Sequence, residues 1–419
     1  MLAHDHQQLM MTTMKSVAEK YGMKCLLHEK PFSGGVNGSG KHVNFSLGNA
    51  NQGNLLNPGD TPAREHAVPH LLRRHHPRGP PVRRTPACRR RIGVERPPSR
   101  RERGPPPAII SIFLGEQLMD VFEQIAKGGA TGSKAAGVIE LGVDTLPPLK
   151  ADPGDRNRTS PFAFTGNRFE YRAPGSNQSI SDPMVAINTI LADSIDFISA
   201  ELEKLIADGT ELNDAVQKVL QEIINTHGAV IFNGNGYSDE WQEEAAARGL
   251  KNLRTTVDAV TEYTSPEVIE IFEKYGGVLS ARELEAREDV IFEYYALTLL
   301  VEAKETAEIA KTMIMPAAIR YQGELAGTAA SLKMAGIEAP TPLLAEVTAL
   351  IGKLHDDVIT LDEGIAGMHG ENTFEESKYA LEALIPAMAA VREVADTLES
   401  IVADDLWPLP TYNEMLTIL

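Results

Sequence analysis

The chain has 419 residues, a net charge of −18, 42% hydrophobic and 23% charged residues, and two cysteines. That is room for two or three domains of ordinary globular composition, and the distant pair Cys25 and Cys88 excludes a disulfide framework and suits a reducing compartment. No apolar run approaches the ~20 residues of a membrane span, and "MLAHDHQQLMMTTMKSVAEKYG" lacks the basic start and apolar block of a secretory signal, so the expectation is a cytoplasmic protein with no membrane partner.

In chain order, residues 1–61 read as a helix from about His6 to Tyr21 followed by strands and Gly-rich turns. The next stretch is anomalous. Between Pro62 and Gly104 there are 13 Arg, 3 Glu and no Lys or Asp, a charge of +10, so the rest of the chain carries −28. An acidic body repels phosphate backbones. Nucleic-acid binding would therefore rest on this segment alone, and the expectation is no nucleic-acid partner.

Residues 105–180 are mixed, opening on the apolar "AIISIFLGEQLMDVFEQIA" and continuing through Gly/Pro-rich loops. Residues 181–419 are helical in pattern. Asp182-Pro183 opens a periodic run through Leu205 that Gly209 stops. Ser265-Pro266 opens another that Gly276 closes, and Ser280 with Glu283 forms a capping box at the head of a long helix. Pro316 should kink or break that helix. Pro342 opens the next, and a last long helix runs from Phe374 to about Asp404. Long helices on short joints imply an antiparallel bundle, and their Leu, Ile, Ala and Met stripes read as core rather than chemistry.

Two constellations carry chemistry. In "SGGVNGSGKHVNFSL", residues Gly35 to Lys41 fit G-x-x-x-x-G-K. A phosphate-binding P-loop needs Ser or Thr next and then a helix. Here His42 follows, and "HVNFSLGN" alternates like a strand. Taken singly, Gly38 and Gly40 permit close backbone approach, Asn37 offers an amide, and His42 leads a strand as a neutral metal ligand. The plainer alternative is a hairpin turn with an exposed histidine. In "DRNRTSPFAFTGNRFEYRAPGS", alternation puts Arg168, Glu170 and Arg172 on one strand face, with Arg156 and Arg158 upstream. Arginine forks suit phosphates and carboxylates, and a carboxylate between them can hold magnesium. The alternative is a salt-bridged strand face.

Together these motifs resemble glutamine synthetase, in its long type III class. "HEKPFSGGVNGSGKHVNFSL" resembles the family's glutamate- and metal-binding stretch, and "DRNRTSPFAFTGNRFEYRAPGSNQSI" its nucleotide-, metal- and glutamate-binding stretch. "HDHQQLMMTTMKSVAEKYGMKCLLHEKPF", "PPAIISIFLGEQL" and "IFNGNGYSDEWQEEAAARGLKNLRTT" resemble the same class. The resemblance implies an α+β fold: the C-terminal part of the catalytic domain over 1–180, with a curved antiparallel sheet and helices, then a long helical region over 181–419. It implies ATP-dependent ligation of ammonia to L-glutamate through a γ-glutamyl phosphate, with Mg2+ or Mn2+, in a double-ringed homo-dodecamer whose active sites lie between neighbouring subunits.

Residue by residue, it implies that Asn37, Gly38 and Arg172 bind glutamate. His42 and Glu170 would hold the metal, Ser46, Arg158 and Arg168 would serve ATP, and Arg158 and Arg172 would be catalytic. The family's upstream domain, with its ammonium-site aspartate and most of its metal-binding glutamates, is expected to precede these motifs. A related γ-glutamyl ligase acting on larger amines, a nucleic-acid-binding helical protein using the Arg-rich arm, and a non-catalytic helical scaffold are the rival readings.

The resemblance lapses after "GDTP" and resumes at Pro105, where the family has an apolar helix and then a stretch like "NDHRLGANEAPPAI". Glu95 to Gly104, back-translated with codons chosen for the purpose and read one base later, gives Ser-Asp-Arg-Arg-Arg-Gly-Ala-Asn-Glu. Ala67 to Gly79 with the same offset gives Gln-Phe-Leu-Ile-Phe-Cys-Ala-Ala-Ile-Ile-Arg-Ala, an apolar helix. Residues 63–104 therefore read as out of frame, and the expectation is a disordered or poorly packed segment and an inactive chain.

Overall fold

In the computed structural model the structure describes residues 2–27, 40–49, 51, 53–57, 109–128, 138–139, 149–150, 160–175, 178–274, 277–338, 340–410 and 414. The segment 63–104 lies outside them. The described residues form two compact units. The first takes those up to Glu285 apart from 13–25, and the second takes 13–25 and those from Ala286 onward.

The first unit is built on a small sheet. Strands β1 (Val43–Phe45), β8 (Phe169–Tyr171), β7 (Phe162–Phe164) and β4 (Ile112–Phe113) lie side by side in that order. β7 and β8 are a hairpin across "TGNR", where Thr165 N–H donates to Arg168 O and Gly166 takes φ 95°. A glycine there removes the Cβ penalty of the left-handed region. β1 and β8 pair antiparallel, whereas β4 pairs parallel with β7, so the sheet is antiparallel only over three strands. Two-residue pairs β2 (Gly48–Asn49) with β3 (Gly53–Asn54) and β5 (Val138–Ile139) with β6 (Leu149–Lys150) stand apart.

Alternation along the central strands sends one row of aromatics inward. Phe162, Phe164, Phe169 and Tyr171 are all at most 5% exposed. Phe169 sits at the centre, with ring centroids of Phe164, Phe162 and Phe45 at 5.2, 5.5 and 6.0 Å. Against this row lie Leu118, Val121, Phe122 and Ile125 of α2 (Glu116–Ala126), a spacing of three and four that makes one helical face. The same core takes in Ile187, Leu191 and Ile198 of α3 (Ser181–Ala207) and Val219, Leu220 and Ile223 of α4 (Leu212–His227). The hinge between β4 and α2 is pinned from elsewhere: Asn233 Oδ1 accepts from Leu114 N and Gly115 N at 3.0 and 3.3 Å.

Helix α3 corrects one expectation. It is long and apolar enough, by length and composition, to cross a membrane, with half of its apolar window buried. The run is interrupted by Asp182, Asp193 and Asp196, which hid it from a search for unbroken apolar sequence. Asp193 is fully buried and is held by Lys274 Nζ at 3.1 Å, with Asp196 on the same amine at 3.0 Å.

The remaining helices of this unit follow their caps. α5 (Asp239–Ala247) starts at Ser238, whose Oγ accepts from Trp241 N, and α6 (Thr256–Val260) at Thr255, whose Oγ1 accepts from Asp258 N. α7 (Pro266–Lys274) begins at the expected proline. The Ser280–Glu283 capping box is present: Ser280 N donates to Glu283 Oε2 at 2.8 Å, and Glu283 N to Ser280 Oγ at 3.3 Å. It heads α8 (Ala281–Ile309).

In the second unit the expected break at Pro316 does not occur. α8 runs on through a π turn, Ala310–Ile314, into α9 (Met315–Met334). Met315 N–H reaches back five residues to Ala310 O. A proline inside a regular helix loses a donor and drives its ring into the carbonyl four residues earlier; a wide turn just before it relieves both. The device recurs. Thr373–Tyr379 (α11) passes through the π turn Ala380–Leu384 into α12 (Ile385–Glu399), with Pro386 in the same place and Ile385 N–H on Ala380 O. α10 (Pro342–Ala366) packs between, against α9 and α12, and buries Val347, Leu354, Val358 and Leu361. The N-terminal helix α1 (Leu2–Lys20), longer than expected at its start, buries none of its residues.

Candidate active site

The chemistry gathers on the outer face of β1 and β8. Register sets Asn44 opposite Glu170. Phe169 and Tyr171 are each 1% exposed, and alternation sends Glu170, between them, to the opposite face. His42 precedes β1 by one residue, and its Nδ1 lies 2.9 Å from Glu170 Oε1. Arg172 follows β8 by one residue, is 5% exposed, and its Nε donates to Glu170 Oε2 at 2.7 Å. Its backbone N–H donates to Pro161 O, which holds the residue against the start of β7. One carboxylate is thus shared, imidazole on one oxygen and guanidinium on the other.

Electrostatics follow from that sharing. Burial pushes the Glu170 carboxyl up, but the Arg172 hydrogen bond and the charges of His42 and Arg172 outweigh it and hold the group below its ordinary value. Were a cation bound, the imidazole would be neutral instead, with its proton on Nδ1 towards the carboxylate and its Nε2 lone pair turned to the ion. An imidazole nitrogen and a carboxylate oxygen are suitable donors for Mg2+ or Mn2+, the imidazole favouring the softer of the two. The pair fits part of such a site. Among the described residues no group of three or more His, Cys, Asp or Glu converges.

The sequence places several expected site residues here and scatters others. His42, Glu170 and Arg172 come together. Arg168 does not join them: it sits in the β7–β8 turn, exposed, and makes no ion pair among the described residues. Alternation stops being a guide there because the hairpin turn has begun. Ser46 is exposed one residue beyond β1. Asn37, Gly38 and Arg158 lie outside the described residues. Asn44 was not singled out by sequence, though it is two residues from His42 on an alternating strand; its Nδ2 stands 3.5 Å from Glu170 Oε1. Lys41, noted in sequence only as the lysine of a G-x-x-x-x-G-K fit, has a structural part. Its Nζ donates to Gln178 O and lies 2.9 Å from Met11 Sδ, while its backbone N–H donates to Pro174 O, tying the approach to β1 to the segment after β8.

Comparison with known proteins points to one family. A family profile described as "Glutamine synthetase, catalytic domain" matches residues 1–70, and one described as "Glutamine synthetase C-terminal domain" matches 215–333. A "Type-3 glutamine synthetase" from Dictyostelium discoideum is 35% identical over 434 aligned positions, covering 99% of this chain and 57% of its own length. A "Glutamine synthetase" from Bacteroides fragilis is 34% identical, with 99% and 58% covered, and one from Butyrivibrio fibrisolvens 33%, with 99% and 59%. The chain spans under three fifths of each relative's length. With three relatives aligned along 99% of its residues and two profiles matching 1–70 and 215–333, the chain belongs to the glutamine synthetase family and is similar to its type 3 members.

Proposed function

We propose that this chain is the glutamate-, metal- and nucleotide-binding part of a type 3 glutamine synthetase, a ligase that joins ammonia to L-glutamate at the expense of ATP through a γ-glutamyl phosphate. The observation that carries the reading is the cluster of His42, Glu170 and Arg172 on adjacent strands. Residues 1–180 are read as the catalytic portion and 181–419 as a helical C-terminal region; one family match falls in each.

In this reading His42 and Glu170 hold a divalent ion, Mg2+ or Mn2+, which when bound offsets the negative charge of ATP phosphates. Arg172 orients the glutamate carboxylate, together with Asn37 and Gly38. Arg158 and Arg168 neutralise phosphate oxygens beside Ser46. Phosphoryl transfer asks mainly for position and charge neutralisation, which these side chains supply. The protein works as a cytoplasmic homo-oligomer.

The chain as written is read as inactive, because 63–104 is taken to be out of frame; the catalytic-domain match ends at residue 70, inside that segment. The test has two arms. Calorimetric titration of Mn2+ into the chain should show binding that His42→Ala weakens by about tenfold or more, the effect of losing one ligand. Glutamate-, ammonium- and ATP-dependent ADP release should be absent from this chain and present when the reading frame across 63–104 is restored in the complete gene. Mn2+ binding indifferent to His42→Ala sinks the metal assignment. Full activity of the chain as written sinks the frame reading.

A further inference from the structure

The ligase reading gives Lys41 no role, although it stands next to His42. Strand alternation puts Lys41 on the face that carries Val43, 7% exposed, and puts His42 with Asn44 on the other. Its ammonium accordingly meets its partners away from Glu170. It donates to Gln178 O and lies 2.9 Å from Met11 Sδ. Its backbone N–H donates to Pro174 O at 3.2 Å. A half-buried cation engaged by a carbonyl and a thioether serves as an anchor for the chain around it.

Three contacts from one residue tie three pieces of chain together: α1, the lead into β1, and the segment between β8 and α3. The α1 side of this clamp is fixed a second time. His4 lies seven residues before Met11, on the same helical face, and its Nε2 is 2.9 Å from Oγ of Ser179, the residue after Gln178. The β1–β8 ladder gives no such hold at this end, because its last registered pair is Val43 with Tyr171. His42 lies one residue beyond that pair, between the ladder and the clamp. Its Nδ1 is 2.9 Å from Glu170 Oε1, and such a contact ceases to be a hydrogen bond beyond about 3.5 Å, so a backbone shift of well under an ångström breaks it.

We propose that Lys41 is a positioning residue: its clamp fixes the backbone at His42 and so keeps the imidazole on Glu170, in place for a cation. The consequence for a cation rests on the metal assignment of His42 and Glu170; the hold on the imidazole does not.

The experiment compares the full chain with Lys41→Met, which keeps the apolar stem and removes the donor, and Lys41→Arg, which keeps a cationic donor. Selective 15N labelling of histidine, with His42 assigned by His42→Ala, reads the imidazole in the metal-free chain at one fixed pH, and calorimetric titration of Mn2+ reads the cation. In Lys41→Met the His42 nitrogen shift should move at least halfway, roughly, to the value that Glu170→Ala gives, and Mn2+ affinity should fall by about tenfold, as on losing a group that orients a ligand. Lys41→Arg should bring both back close to wild type, which a general loss of packing would not do. Met11→Leu exchanges one apolar side chain for another of like volume, keeps the fold, and should move the His42 signal in the same direction by less. A His42 signal at its wild-type position in Met11→Leu and in Lys41→Met refutes the proposal, and so does a shift that Lys41→Arg leaves uncorrected. A shift that Lys41→Arg corrects, in a chain whose wild type takes up no Mn2+, upholds the hold on His42 and sinks the metal assignment alone.

Discussion

Replacing Glu170 by glutamine keeps the shape of the side chain and removes its charge. The Arg172 guanidinium, 5% exposed, then keeps a neutral acceptor in place of a carboxylate. A hydrogen bond to a charged partner is worth about 1.5–3 kcal/mol, and a neutral one about 1, so the expected loss from this contact is about 1–2 kcal/mol, with a smaller share from His42. Glu170 is 17% exposed on its side chain and Arg172 5%, so solvent screens the pair little. The pH dependence fixes the cause. The folded carboxyl is held below its ordinary value, so its contribution is fully present above the unfolded value and disappears as pH falls through the lowered folded one. Urea unfolding of the wild type and Glu170→Gln near neutral pH should therefore differ by this amount, and the difference should close in the acid range, below the ordinary carboxylate pKa of about 4.3. Equal stability at neutral pH, or a gap that persists undiminished below the lowered value, would show that the carboxylate's charge is not what holds this corner together.

Phe169→Ala should cost about 3–5 kcal/mol, because the ring is 1% exposed at the centre of a four-ring cluster; a thermal midpoint within a degree or two of wild type would contradict the packing. Ser280→Ala removes one half of a capping box and should cost about 1 kcal/mol, read by denaturant unfolding, with Ser280→Asp recovering most of it. Pro316→Ala should change stability by less than about 1 kcal/mol, since the π turn already accommodates the ring; a gain near the ~3 kcal/mol that proline costs inside a regular helix would mean the turn relieves nothing.

The helical half was legible because its ends are chemically marked. Gly209 at φ 88°, the Ser280 box and Pro342 at a first turn each supply a local reason to start or stop, and each acts where sequence puts it. Pro316 misled for the converse reason, while the helix expected from Phe374 does run on through Pro386. Whether a proline ends a helix depends on whether the preceding turn can widen, and both widened turns here pack against α10, a contact that no local pattern encodes. The site was half legible. Glu170 and Arg172 are brought together by the strand, but alternation overreached by one step to Arg168, because a hairpin turn has no period of two. The pairing of His42 with Glu170 spans 128 residues and no local pattern encodes it; resemblance named both, and the β1–β8 register supplies the physical reason.

The same register separates two questions that the basic segment joins. β1 lies before residues 63–104, and β7 and β8 lie after them, with β4 at 112–113 completing the sheet. None of these strands draws a residue from the segment, and neither do the described members of the aromatic core or of the His42–Glu170–Arg172 cluster. A one-base offset there would remove whatever the relatives place in that stretch, yet leave the donors on β1 and β8 encoded in frame. Under the proposed function, cation binding and ligation should therefore come apart in this chain: the first depends on side chains that the sheet itself positions, and the second needs further side chains besides these.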